Sequence, residues 1–510
     1  MPIAYNYSGT HEDLSSLLRR FRLDELLRYI SNYSAELMRR HRSDTPKEAA
    51  WEKYYVLNSS TRRIEEKETL VTGWGLIDLA FQAIISTNDY RGKVIESREE
   101  FFLLMDAIWA TKEVDEMPVL DSFEDGSSDI LFYMFGFMTE QFRFQDLSIN
   151  NFAVSRELYI LLDIASEIPG ITKIEEIIIR EVGTSWRAVV TSLFLVFSAS
   201  LAGLSIDTVL GQTLWNESVS RQDFEKVLAY YSATYRDVRD SDLKRQYLYT
   251  KPFIYTDRTK EALCISPQLC LMLYEHCIFW IVRNHFLRDK DQRFTSEFGT
   301  LFEAYFCQLL EKTVGYGHFE KIIEDDREKR ADWKISISKY SFLVEQKSAA
   351  LGLMAKQQET DINAVKRFCL KNLVKAIQQL DVTEKYYNDK KYIKIILIYE
   401  DYLNTHILEQ VFQMQNCNVV DDGFFWLITI DEAERLFTLY HDDLETFDSV
   451  IEKKIQLEVA KSKDGRAVEQ ILRSFGIAQN SYLQKPEISK YNDFGKNNML
   501  PLLPKDDLSR

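Results

Sequence analysis

Two carboxylates and one ammonium stand at a spacing that neighbouring strands can bring to a point: Asp332 in RADWKI, then Glu345 and Lys347 in FLVEQKSA. A hairpin pairing Ile337 with Tyr340 across a Ser338-Lys339 turn sets Asp332 directly opposite Glu345. Alternation along the strand then places Glu345 and Lys347 on one face and Gln346 on the other. Metal-assisted phosphodiester cleavage needs this combination, because Mg2+ takes hard oxygen ligands and keeps several of its waters. Asp332 and Glu345 are the candidate metal ligands. Lys347 is the candidate catalytic ammonium, able to orient a water or help its deprotonation and to offset charge developing on the phosphate.

The elements that must carry these residues are legible in the periodicity. SEFGTLFEAYFCQLLEKTV reads as a helix, HFEKIIE, ADWKISI and SFLVEQK as strands, DINAVKRFCLKNLVKAIQQLDVTEKYY as a second helix and YIKIILIY as a fourth strand, giving αβββαβ. A helix (NTHILEQVFQMQ), a strand (FFWLITI) and a helix (DEAERLFTLYH) extend the series. On the first helix Glu303 lies beside the apolar stripe Phe298, Leu301, Phe302, Tyr305 and Leu309, where a half-buried carboxylate needs a partner, so it joins the site as a fourth member. Glu297, in the first turn, reads as an acid favoured by the helix dipole. On the second helix Lys371, Lys375 and Gln378 repeat at i, i+4, i+7 opposite Leu370, Leu373, Val374 and Ile377, with Gln379 alongside. That face is either a substrate-binding phosphate surface or a solvated lysine face. From Arg327 to Lys375 eleven Lys/Arg stand against five Asp/Glu, so phosphate binding can be local although the whole chain carries −16.

The pattern D-x(12)-E-x-K, preceded by a helix of the type GxxFExYxxxLL (Gly299, Phe302, Glu303, Tyr305), resembles the PD-(D/E)XK nuclease superfamily over roughly residues 291 to 400. The resemblance implies a restriction-endonuclease-like αβββαβ core, Mg2+ or Mn2+ dependence, metal ligation by Asp332 and Glu345, and catalysis by Lys347. Gln379 is similar to a glutamine on this helix in some members. Ala331 stands where the superfamily name has a proline. DNA or RNA, including tRNA, would fit as substrate. A catalytically inactive nuclease-fold scaffold is the alternative from another class.

Composition frames the rest. At 510 residues the chain is too long for one ordinary core, and only 18 Gly and 9 Pro argue for a helix-rich, multidomain protein. Residues 1–206 read as an all-helical domain suited to sensing a protein trigger, 207–290 as a helical bridge with short strands at KPFIYTD and EALCISP, 291–445 as the α/β nuclease-like domain, and 446–510 as a helix and polar tail. The acidic stretch Asp115–Asp129 reads as an exposed loop, and the tail from Asn480 as partly disordered. Ala188–Ile206 carries no charge, but its Ser/Thr content fits a buried helix rather than a membrane span. The six cysteines lack metal-ligand spacing, no basic-plus-apolar leader opens the sequence, and no P-loop occurs, so a cytoplasmic protein with reduced thiols is expected. Pairing of a nuclease with a large domain lacking catalytic motifs resembles gated bacterial phage-defence effectors, an analogy only. Arg435 and His441 fit a loose ribonuclease spacing, although Leu436 departs from it.

Overall fold

The computed structural model describes residues 3–4, 10–42, 50–57, 62–86, 91–121, 151–212, 219–256, 261–323, 329–348, 362–399, 425–460 and 467–491. It is a largely helical chain with a mixed sheet in its C-terminal part. Near the N-terminus, α1 (His11–Leu18), α2 (Leu23–Arg42), α3 (Gly73–Ser86) and α4 (Arg98–Asp121) pack their apolar sides together. This part is not all-helical, because β1 (Ile3–Ala4), β2 (Ala50–Leu57) and β3 (Ile64–Val71) form a three-stranded sheet. In AWEKYYVL the side chains alternate, Tyr54 and Val56 buried while Trp51 and Tyr55 face out, so aromatic and β-branched residues at period two prevail over helix. The acidic stretch from Asp115 is helical through Asp121 rather than a loop, since its turn-formers around Gly126 come later; residues 122–129 lie outside the described residues.

Next come α5 (Asn151–Leu158), α6 (Ile174–Val182) and α7 (Trp186–Leu201). The charge-free stretch forms most of α7, a core helix capped by the Ser185 hydroxyl, which accepts from Ala188 N at 3.2 Å. No single helix among the described residues is long and apolar enough to cross a membrane. The strands expected in the middle of the chain are β5 (Phe253–Tyr255) and β6 (Ala262–Cys264), joined by β4 (Ser232–Thr234). The long helix α8 (Pro267–Arg288) follows and breaks at His276. The break is satisfied from outside: buried Glu157 accepts from Ile278 N and Phe279 N, both at 2.9 Å, as an N-cap would.

The elements around the site then run in the expected order: α9 (Arg293–Thr313), β7 (Phe319–Lys321), β8 (Trp333–Ile337), β9 (Tyr340–Lys347), α10 (Ile362–Phe368), a wide π-helical turn (Cys369–Val374), α11 (Lys375–Tyr387) and β10 (Ile393–Ile398). β11 (Phe425–Thr429), α12 (Ile430–Asp442) and α13 (Leu444–Val459) complete the series, while the helix expected over 404–415 lies outside the described residues. The sheet order is β11-β10-β9-β8-β7, antiparallel through β7, β8 and β9 and parallel through β9, β10 and β11. Every residue of β10 is buried, because helices cover both faces of the sheet. Trp333, Ile335, Val344, Ile395 and Leu397 face α9 and α12, whereas Leu343, Ile396 and Ile398 face α10 and α11.

The apolar cores cross the segment limits expected at 206 and 290. One continuous core runs from Val154 through α7, α8, α9 and the sheet to Ile488, and a second joins α1–α4 to Ala233, Ile254 and Leu269. The C-terminal segment is packed rather than loose as far as Tyr491. Tyr482, Leu483 and Ile488 are fully buried, and Asn480 donates to Asp431 at 2.9 Å and to Glu434 at 2.5 Å. At the same place Arg156 of α5 grips buried Glu434 of α12 through two bonds, 2.7 and 2.6 Å long. Arg156→Met leaves that carboxylate buried without its cation and should lower stability by about 3–5 kcal/mol. Chemical denaturation of the full chain measures this, and a loss below about 1 kcal/mol would show that the pair does not hold α5 on α12.

Candidate active site

The hairpin register is the expected one, Ile337 pairing with Tyr340, with Ser338 turning at φ 51°. Asp332 departs from it by one step. Its N–H donates to the carbonyl of Val344 at 3.0 Å, although the ladder pairs Val344 with Trp333, so two residues of one strand share one partner in the manner of a β-bulge. The Asp332 carboxylate is thereby turned onto the backbone of β9, where Oδ2 accepts from Gln346 N at 2.6 Å. It is thus held by the amide between Glu345 and Lys347 rather than lying squarely opposite Glu345.

Glu345 is 2% exposed, and the Lys347 ammonium is ion-paired to its Oε1. Lys347 also donates to Gln379 Oε1 at 3.1 Å. Gln346 points the other way, as alternation requires: its Oε1 accepts from Trp333 Nε1 at 2.6 Å and its Nε2 donates to Phe302 O at 3.3 Å. That arrangement fastens β9 to α9. Gly299 lets the same helix come close, since an added Cβ there would meet Ser348 Oγ at 3.3 Å.

Burial pushes the Asp332 carboxyl up to about 6; the Gln346 N–H and the Lys347 charge oppose the shift, and Glu303 adds to it. Lys347 and Glu303 therefore both lie within electrostatic reach of Asp332. Glu303 is ion-paired to Lys321 of β7, the base that its half-buried position calls for. Glu297 lies apart from the group, accepting from Thr172 N and Thr172 Oγ1 at 3.0 Å each.

Lys371, Lys375 and Gln378 are exposed as expected, while Gln379 turns inward to Lys347. The apolar side of this helix differs from the expected one because the π-helical turn adds a residue to its circuit. Leu370 is exposed, and Cys369, Leu373, Ala376, Ile377 and Leu380 fill the core. Sequence reasoning missed three contributors: Lys321, Arg330 and Thr383. Thr383 Oγ1 accepts from Ala331 N at 2.7 Å, and Gln379 Nε2 donates to Arg330 O at 3.1 Å. Two side chains one turn apart on α11 thus fix the two residues that lead into Asp332. Their i, i+4 spacing on the inward face was the available signal.

The donors at this spot are carboxylate oxygens, which suit Mg2+ or Mn2+, ions that a protein can hold through one or two carboxylates plus water. Among the described residues no group of three or more His, Cys, Asp or Glu is placed to hold a metal. The competing motifs are structural. Arg435 is buried and ion-paired to Glu469 and, at 2.8 Å, to Asp431. Cys270 and Cys277 are buried in α8, and His276 lies 3.3 Å from Glu157. Comparison of the chain with family models, curated proteins and solved structures finds no match.

Two outcomes follow from this geometry. A carboxyl whose folded value is raised keeps its proton longer in the native state, so stability falls as pH rises. In chelator-treated protein, unfolding free energy should fall by up to about 3 kcal/mol between roughly pH 4 and pH 6 on account of Asp332. Asp332→Asn should flatten that slope, and an unchanged slope would show that Asp332 does not titrate there. Thr383→Val leaves the Ala331 N–H buried and unbonded, at a cost of about 1–3 kcal/mol, whereas Thr383→Ser should restore most of it; equal denaturation midpoints for the two variants would argue against the latch.

Proposed function

We propose that this chain is a metal-dependent nuclease that hydrolyses phosphodiester bonds of DNA or RNA on a restriction-endonuclease-like core, with Asp332, Glu345, Lys347 and Glu303 as its active-site group. The observation that carries the reading is the Lys347 ammonium: it is ion-paired to buried Glu345, fixed at 3.1 Å by Gln379, and near enough to Asp332 to stabilise that carboxylate. Three residues that a hairpin could have scattered are held together by a helix from outside the hairpin.

The roles divide as follows. Asp332 and Glu345 would hold Mg2+ or Mn2+, which when bound supplies a polarised phosphate oxygen and a more acidic water. Lys347, oriented by Gln379, can donate to the attacking water or to a non-bridging phosphate oxygen and offset the charge that builds there. Attack by the water oxygen on phosphorus forms one phosphorus–oxygen bond and breaks one ester bond; the water gives up a proton to solvent, and the departing oxygen takes one from it. Glu303, paired to Lys321, sets the charge balance beside Asp332. Lys371, Lys375 and Gln378 line the exposed side of the same helix and suit phosphate contacts. Cytoplasmic action as a gated defence effector, with the N-terminal helices receiving a protein trigger, is the setting proposed for this activity.

Full-length protein incubated with Mg2+ and a panel of duplex DNA, single strands and total tRNA should degrade at least one of them. Asp332→Ala, Glu345→Ala and Lys347→Ala should each reduce the rate by about 100-fold or more, a loss of roughly 2.7 kcal/mol in transition-state stabilisation or above. Undiminished cleavage by all three variants would sink the assignment.

A further inference from the structure

Beyond Gln379, on the side away from Lys347, the surface carries tyrosines interleaved with bases. Arg330, whose carbonyl accepts from Gln379, has its guanidinium carbon 3.6 Å from the centroid of the Tyr386 ring. Tyr386, in the last turn of α11, is 57% exposed. Tyr387 stands edge-on to it at 5.4 Å and has the Lys334 ammonium 4.1 Å from its own ring centroid. Lys390, just past the left-handed Asn388 that ends the helix, is exposed.

Charge around these rings opposes the chain as a whole. Lys329, Arg330, Lys334, Lys385, Lys390 and Lys391, with buried Lys394, make seven cations. Among the described residues four acids stand with them: Glu320 on Lys334, Asp389 on the Tyr392 hydroxyl, and Asp381 and Glu384 on Lys394. Among the described residues the local balance is +3, in a protein of −16.

We infer that this ridge binds single-stranded nucleic acid and leads it to the carboxylate site, an inference that rests on the nuclease reading. Lysines alone would serve a duplex equally well, because its phosphates are all that they meet. Tyrosine rings add affinity only where a base is unpaired and can lie against them. The ridge is also continuous with the site: Lys347, Gln379, Arg330 and Tyr386 form one chain of contacts. A strand resting on the tyrosines would reach Lys347 by running past Arg330 and Gln379.

The test separates holding from cutting. In full-length protein carrying Asp332→Asn, binding of fluorescent 20-nucleotide dT and rU strands and of a 20-base-pair duplex is measured by anisotropy. Tyr386→Ala should weaken single-strand binding about 5- to 100-fold and Tyr386→Trp should retain it, while the duplex responds little. Lys390→Glu should lower the slope of log affinity against log salt by about 0.7 for each phosphate no longer neutralised. In the otherwise wild-type chain, Tyr386→Ala should raise KM and leave kcat unchanged. The dT and rU arms distinguish DNA from RNA as the strand bound. Unaltered single-strand binding in Tyr386→Ala, or a duplex that binds as well and weakens equally, overturns the inference even if cleavage is intact. Tyr386-dependent binding in a chain that cleaves nothing upholds the ridge while the catalytic reading fails.

Discussion

A carboxylate buried at the end of a sheet strand costs several kcal/mol unless a cation and hydrogen bonds attend it, and Glu345 is such a group. Its position follows from β9, whose Phe342, Leu343 and Val344 are drawn into two cores at once, so that the strand cannot slide to relieve the charge. Lys347 must therefore fold back two residues to pair with it, and a lysine so held requires something to fix its remaining donors. Gln379 does this, and because Gln379 belongs to α11, the helix is committed to a fixed place over the sheet. The Thr383 and Arg330 contacts then extend the same constraint to Asp332. One buried charge thus dictates the placing of a strand, a helix and a loop.

The other side of the sheet carries a second buried charge problem with a different solution. Arg156, Glu434, Asp431 and Asn480 come from α5, α12 and the C-terminal segment, with Arg435 of α12 adding a pair to Asp431 at 2.8 Å. Removing both ions for apolar residues would cost little stability in itself, so the value of the cluster lies in fixing which helices meet. Since α9 lies in the same core, a shift of α5 has a packed route to the strand that bears Glu345 and Lys347. The helical layer is therefore part of the support of the candidate site.

The sequence was most legible where local rules acted alone. A two-residue turn together with alternation was enough for the Ile337–Tyr340 register, for Gln346 facing away from Glu345, and for the order of elements from α9 to β10. Legibility ended where a side chain displaced a backbone partner. The bulge at Asp332 depends on its own carboxylate taking the Gln346 N–H, which no periodicity encodes. The π-helical turn at Cys369–Val374 moved Leu370 out of the core, because a repeat fitted to 3.6 residues cannot foresee an inserted one. Asn480 and Tyr482 read as a polar tail, since their partners lie far earlier in the chain. In β2, the lysine and glutamate beside Tyr54 and Val56 obscured a strand whose buried face shows only once β3 is paired to it.

Charge sets the terms on which a polyanion could approach. A protein of −16 repels nucleic acid at long range, and at physiological salt that repulsion decays over about 8 Å. Beyond that distance a local excess of cations is not felt as a separate field. On the nuclease reading, such a surface would not gather a polyanionic substrate by steering from afar and would rely on short-range contacts made after encounter. Asp332 belongs to this economy as well. A carboxyl pushed up to about 6 is only weakly committed to its charge, and a divalent ion bound there would compete with a proton near neutrality. On the proposed reading, the burial that fixes the geometry of the carboxylates would also limit how tightly they hold an ion, and phosphate oxygens of a substrate would complete its shell.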